Sequence, residues 1–180
     1  HNQGVERAEA GQRTAINLQG VDRAAVERGE VMIRPGTVAV SRRLDVLLNY
    51  LESNEKALKN RSLVRFHVGT RENIGRIILL YRDEALPGAG VNGQMIFAEP
   101  VVVMAGDHFV IRSYSPITTY GGGIVLDPLP RKHKRMQAAV GEEFGLLAAG
   151  KEEQRVAVIV ARAGSEGANI TRLVMRTGLA

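Results

Sequence analysis

The feature that most restricts how this chain can fold is a succession of short alternating or β-branched runs, each closed by Gly, Pro or Asn, that continues to about residue 130 and then stops. Runs of this kind bury one face of an extended strand and reverse at the turn residues, the pattern of an all-β sandwich or barrel. Nine candidate strands follow one another at 13–18, 30–33, 43–50, 62–68, 73–81, 94–98, 101–104, 109–112 and 124–126. Arg34-Pro35-Gly36, Leu86-Pro87-Gly88, Val91-Asn92-Gly93 and Gly106-Asp107 mark reversals between them. Their core must be aliphatic, because 44% of residues are hydrophobic while aromatics make up 4% and tryptophan is absent.

Asp127-Pro128-Leu129-Pro130 ends this pattern, since two prolines cannot extend a central strand, and the basic run Arg131-Lys132-His133-Lys134-Arg135 follows. Met136, Ala139, Val140, Phe144 and Leu147 then fall at helical spacing, with Gly150 as a stop. A second helix is predicted over 152–162 with Val156, Ile159 and Val160 on its apolar face, broken by 163–167. A third starts at Asn169, a suitable N-cap, and carries Ile170, Leu173 and Val174. Helix, glycine-bearing turn and helix give the outline of a helix-turn-helix unit. The fold class expected is therefore mainly β with a helical C-terminal tail.

The 180 residues suffice for one generous domain or two small ones. With 24 Lys and Arg against 19 Asp and Glu, the formal charge is +5, a balance that favours polyanions such as nucleic acid. The chain has no cysteine, which excludes disulfides, thiolate metal sites and thiol nucleophiles and suits a cytoplasmic protein. His1-Asn2-Gln3-Gly4 holds no signal core, and no apolar run approaches the roughly 18 residues of a membrane span. A start without Met and an end just past a helical pattern are expected of an internal fragment.

Several constellations have plain structural readings. Gly145 to Lys151 matches seven positions of a phosphate-binding loop, but Glu152 stands where a magnesium-holding hydroxyl is needed, and a helix precedes it instead of a strand; a helix end is expected. Gly121-Gly122-Gly123 suits a bulge or a close backbone approach. The histidines His1, His67, His108 and His133 are dispersed, so no metal is expected; His67, alternating with Phe66 and Val68, suits a sheet surface. Asp107, His108 and Ser113 lack a nucleophile elbow, and no catalytic residue is assigned. The Asn-x-Ser/Thr triplets at Asn60 and Asn169 matter only in a secreted protein. More informative are Arg61, Arg65, Arg71 and Arg76, on or beside one candidate hairpin, and Arg112 at another strand end. Such cations fit phosphates, although any one alone reads as a solvated surface charge. The run 131–135 reads either as an RNA-touching linker or as a helix start.

The segment Gly11-Gln12-Arg13-Thr14-Ala15-Ile16-Asn17-Leu18-Gln19-Gly20, followed by Val26-Glu27-Arg28-Gly29-Glu30-Val31-Met32, resembles the closing half of the second domain of EF-Tu-like translational GTPases. Leu58 to Arg61, Val64 to Thr70, Glu99 to Val102, Gly106 to Pro116 and Thr118 to Pro128 resemble the third domain of the selenocysteine-specific (SelB) branch of that family. The resemblance implies part of a second β-barrel over 1–37, a complete third-domain barrel over 38–130, and a helical linker with a truncated winged-helix start over 131–180.

It further implies a part that binds selenocysteyl-tRNA for GTP-dependent delivery to the ribosome and transforms nothing covalently. GTP and Mg would be held by a preceding domain, and the selenocysteine insertion hairpin of the mRNA by later winged helices. Carried over by motif, Arg28 lies at the turn that approaches the tRNA acceptor end, while Arg112, Ser113 and Tyr114 lie on the T-stem side, with His67 and Arg71 beside them. Two other readings stand: a barrel from another translational GTPase, and a helix-turn-helix DNA-binding regulator with the β portion as an effector module.

Overall fold

Six strands close on themselves in the computed structural model, which describes residues 4–179. His1 to Gln3 of the expected first unit and Ala180 of the last lie outside the described residues. The chain forms β1 (Ala39–Tyr50), β2 (Leu58–Lys59), β3 (Leu63–Val68), β4 (Arg71–Leu79), β5 (Glu84–Ala85), β6 (Gly90–Val103), β7 (His108–Ser113) and β8 (Thr119–Asp127). The helices α1 (Ala138–Ala149), α2 (Glu152–Ala163) and α3 (Ile170–Thr177) follow. The closed barrel runs β1-β6-β4-β3-β7-β8, all neighbours antiparallel, and β2 pairs with β5 as a small separate ribbon.

Alternation builds the core. Leu44, Val46 and Leu48 of β1, Val64 and Phe66 of β3, Ile77 and Leu79 of β4, and Ile111 of β7 point inward and are fully buried. Phe66 stacks on Phe109 and meets Phe97 edge-on at centroid distances of 4.8 and 5.1 Å, so three phenylalanines form one layer of the core. The expected strands 94–98 and 101–104 are one strand, β6. Its register against β1 jumps from Ile96 to Val101, and Pro100 sits in that jump, where no ladder hydrogen bond is forfeited.

The glycine triplet does what a close approach demands. Gly121 and Gly123 pair with Tyr50 and Leu48 of β1, and a Cβ on either would fall on the carbonyl oxygens of Asn49 and Leu47. β8 can therefore seal the barrel only with bare backbone there.

Two expected strands do not form. Residues 13–18 and 30–33 are irregular and exposed, and among residues 4–37 the one helical or strand element is a 3-10 turn at Arg23–Ala25 capped by Asp22. The physical reason is closure: a barrel offers no free edge, so a β-prone segment outside it finds no ladder to join.

The helices lie on the barrel's outer wall. Val140, Phe144 and Leu147 of α1 and Val158 and Ile159 of α2 share a second apolar cluster with Leu80 and Leu126 of the barrel. Gly150 ends α1, and the Asn169 side chain accepts from Arg172 N at 2.8 Å as the N-cap of α3, both as the sequence predicts. The buried face of α2 is Val158, Ile159 and Ala163 instead of Val156, Ile159 and Val160; on α3, Ile170 faces solvent while Arg176 is buried. Buried carboxylates beneath these helices turn both faces.

Candidate RNA-facing surface

On β3 the outward positions are Leu63, Arg65 and His67, and pairing sets Arg65 opposite Arg112 of β7. The Arg65 guanidinium lies over the Tyr114 ring at 5.2 Å and donates from Nε to the Tyr114 carbonyl at 3.2 Å, while also pairing with Glu72. Tyr114 itself is 46% exposed, an amphipathic ring held flat against a cation. Arg112 enters none of the ion pairs found among the described residues, so its charge is free for an anion.

Ser113 differs from its neighbours. It is 4% exposed, and its hydroxyl bonds to the carbonyl of Pro116 and to Thr118 N and Oγ1, at 2.9 and 3.0 Å for the last two. It therefore fastens the 113–118 loop that presents Arg112 and Tyr114. Strand alternation alone separates the inward Ser113 from the outward Arg112.

Arg28, His67 and Arg71 come together in a shallow cleft of about 450 Å³ whose walls also include Glu27, Glu30 and Glu72. Gly29 makes this possible: it is buried at φ 95°, and a Cβ there would stand 2.8 Å from Cβ of Arg71. The turn before 30–33 thus rests on the barrel although no strand follows it. His67 Nε2 is buried without a hydrogen-bond partner, 3.6 Å from Glu72 Oε2. Burial pushes its pKa below the ordinary value, Arg112 and Arg65 lower it further, and Glu72 opposes them.

A second cluster joins barrel to helices, and the sequence reading missed it. Asp45 of β1 stands directly opposite Asp127 of β8, two fully buried carboxylates side by side. Such a pair repels unless a cation intervenes. Arg162 of α2 supplies one, donating from Nη1 to Asp45 and Asp127 at 2.9 Å each and from Nε to Glu143 at 2.8 Å. Arg176 of α3 also donates to Asp127, from Nε at 3.0 Å, and His133 Nε2 lies 2.8 Å from Asp45. Burial alone would lower the Arg162 pKa, but Asp45, the Glu143 hydrogen bond and Asp127 outweigh it and raise it. An aspartate inside the apolar run Leu44-Asp45-Val46 was the available signal.

The basic run is divided in its roles. His133 is committed to Asp45, and Arg135 donates to the carbonyls of Leu79 and Arg82 and pairs with Asp83. Arg131 reaches Ala163 O and Glu166, whereas Lys132 and Lys134 are exposed. The run is a strap across the barrel.

Residues 145–151 do not fit a nucleotide: they form the end of α1 and the cap of α2, with Gly150 at φ −73°. Among the described residues no group of three or more His, Asp or Glu converges as a metal site, and no helix is long and apolar enough to cross a membrane.

The β-barrel domain of selenocysteine-specific elongation factors matches residues 43–132. The selenocysteine-specific elongation factor of Desulfomicrobium baculatum is 36% identical over 179 residues, 99% of this chain and 28% of that protein. Its counterpart from Haemophilus influenzae is 26% identical over 159 residues, 87% of this chain and 25% of that protein. The crystal structure of a bacterial selenocysteine-specific elongation factor superposes on 89% of this chain and 24% of its own, with a TM-score of 0.67 at 24% identity, a likeness of fold. The chain spans about a quarter of the length of these relatives.

Proposed function

The chain belongs to the selenocysteine-specific elongation factors, whose β-barrel domain matches half of it, and on that footing we propose that it is the part of such a factor that holds selenocysteyl-tRNA for delivery to the ribosome. The observation that carries this reading is the free Arg112 beside the Arg65–Tyr114 pair: a cation for phosphate and a polar-tipped ring on one rigid strand end. Arg112 supplies charge to the T-stem side, Tyr114 supplies surface, and Ser113 holds their loop. Arg28 faces the acceptor end, and His67 and Arg71, on the T-stem side, share its cleft.

Residues 1–37 are assigned to the close of a preceding barrel, 38–130 to the tRNA-bearing barrel, and 131–180 to the start of a winged helix. This part carries out no covalent step; GTP and Mg belong to another domain of the complete factor, the mRNA hairpin to further winged helices, and the site of action is the cytoplasm. The DNA-regulator reading gains nothing, because the last turn of α3 is buried against the barrel through Arg176 and Thr177.

Filter binding of the complete factor to selenocysteyl-tRNA tests the assignment. Arg28→Ala with Arg112→Ala should weaken binding and reduce the salt dependence by roughly one unit of slope per cation removed. Unchanged affinity and slope would refute both residues.

A further inference from the structure

Around the barrel from Arg112, and separate from the cleft that holds Arg28, the cations gather in a groove of about 510 Å³ between the outer wall and the strap. Arg43, Arg61, Arg76, Lys132 and Lys134 line it, with Arg135 at its end. Strand register builds one wall: Arg43 of β1 faces Ile96 of β6, and Ile96 faces Arg76 of β4. The strap, pinned by His133 and Arg135, sets Lys132 and Lys134 along the other.

Three observations say what the groove takes. No carboxylate lines it among the described residues, and Arg43, Arg61, Arg76, Lys132 and Lys134 join none of the ion pairs there, so like charges are held together uncompensated. Arg43 Nε is buried with no hydrogen-bond partner, a desolvated donor awaiting an acceptor. No Phe, Tyr or Trp lines the groove, so it lacks the stacking platforms that hold unpaired bases.

We propose that this groove is a second RNA contact, which takes the phosphodiester backbone of a base-paired stem. The proposal rests on the reading of the chain as RNA-binding and extends it to a face that the tRNA-side residues do not cover. Arg76 lies two positions beyond Ile74, the partner of Arg65, so the groove continues the Arg112–Arg65 row around the barrel.

The test is a salt titration of the 180-residue chain with a 12-base-pair RNA hairpin (about one turn of duplex) and with oligouridine of equal phosphate count. One variant joins Lys132→Gln to Lys134→Gln, both exposed side chains. The other is Arg61→Gly: Arg61 sits at φ 66°, where glycine is the easier residue, so its melting temperature should hold or rise while a cation is lost. Expected are tighter binding of the hairpin than of oligouridine, about a tenfold loss for the double lysine variant at moderate salt, and a slope lower by roughly one per cation. If Arg112→Ala weakens hairpin binding while both groove variants bind like the parent chain, the groove is rejected and the proposed function stands. A parent chain that binds no RNA at low salt defeats both, and equal affinity for hairpin and oligouridine overturns the assignment to a stem backbone.

Discussion

His67 is a residue whose position was legible and whose chemistry was not. Alternation with Phe66 and Val68 places it on the sheet surface, but its titration is set first by burial and then by Glu72, Arg112 and Arg65, which the pairing of β3 with β4 and β7 brings alongside. With a folded pKa below the ordinary 6.5, the folded protein binds fewer protons than the unfolded chain through the interval between the two values. Stability contributed at this site is thus present at neutral pH and lost as pH falls through 6.5 toward the folded value. An NMR titration of the ring should find it below 6.5, shifted upward in Arg112→Ala and further downward in Glu72→Gln; the opposite shifts would show that another group sets the field. At the barrel seam, Gly123→Ala drives a methyl into the Leu47 carbonyl. The cost should exceed the common range of about 0.5–3 kcal/mol, seen as a much lower urea midpoint or as failure to fold.

Among the elements, those whose signal is periodic and self-contained were legible: the strands of the barrel, the stop at Gly150 and the cap at Asn169. Replacing that cap by Ala should cost about 1 kcal/mol in chemical denaturation. The segments 13–18 and 30–33 carry the same β-branched pattern and form nothing, because a strand is defined by its neighbour and the closed barrel offers none. The strap was legible only in part. Its five basic residues read as an RNA-touching linker or a helix start, and the sequence does not reveal that His133 and Arg135 are spent on Asp45 and Asp83, leaving Lys132 and Lys134 outward. The buried faces of α2 and α3 were equally beyond reach, since no helical periodicity reveals that Arg162 and Arg176 must turn inward toward Asp45 and Asp127. Removing one member of such a buried set strands its partners: Arg162→Met should destabilise the protein by roughly 3–5 kcal/mol. Adding Asp45→Asn should restore part of the loss, because the Asp45–Asp127 repulsion is then gone. If the double variant is no more stable than Arg162→Met, repulsion is not the cause.

For the whole molecule, the arrangement of charge decides whether barrel and helices behave as one body. The apolar contact between them is modest: Leu80 and Leu126 of the barrel against Val140, Phe144, Leu147 and Ile159. The ionic set adds direction, because Asp45 and Asp127 belong to strands on either side of the β1–β8 seam and meet the Arg162 and Arg176 cations only when α2 and α3 are docked. Opening the helices therefore exposes two facing carboxylates and loosens the seam beneath them, so unfolding of either part penalises the other. Such coupling makes the described barrel and helices a single cooperative unit, with residues 4–37 outside it. Heat or urea should then give one transition, coincident by far-UV circular dichroism, which follows the helices, and by protection of β1 and β8 amides from exchange. In Arg162→Met combined with Arg176→Met the two probes should separate, the helices melting first while the barrel amides stay protected. Coincident probes in that variant would mean that the apolar cluster alone supplies the coupling; separated probes in the parent chain would mean that the ionic set joins the two parts without making them cooperative.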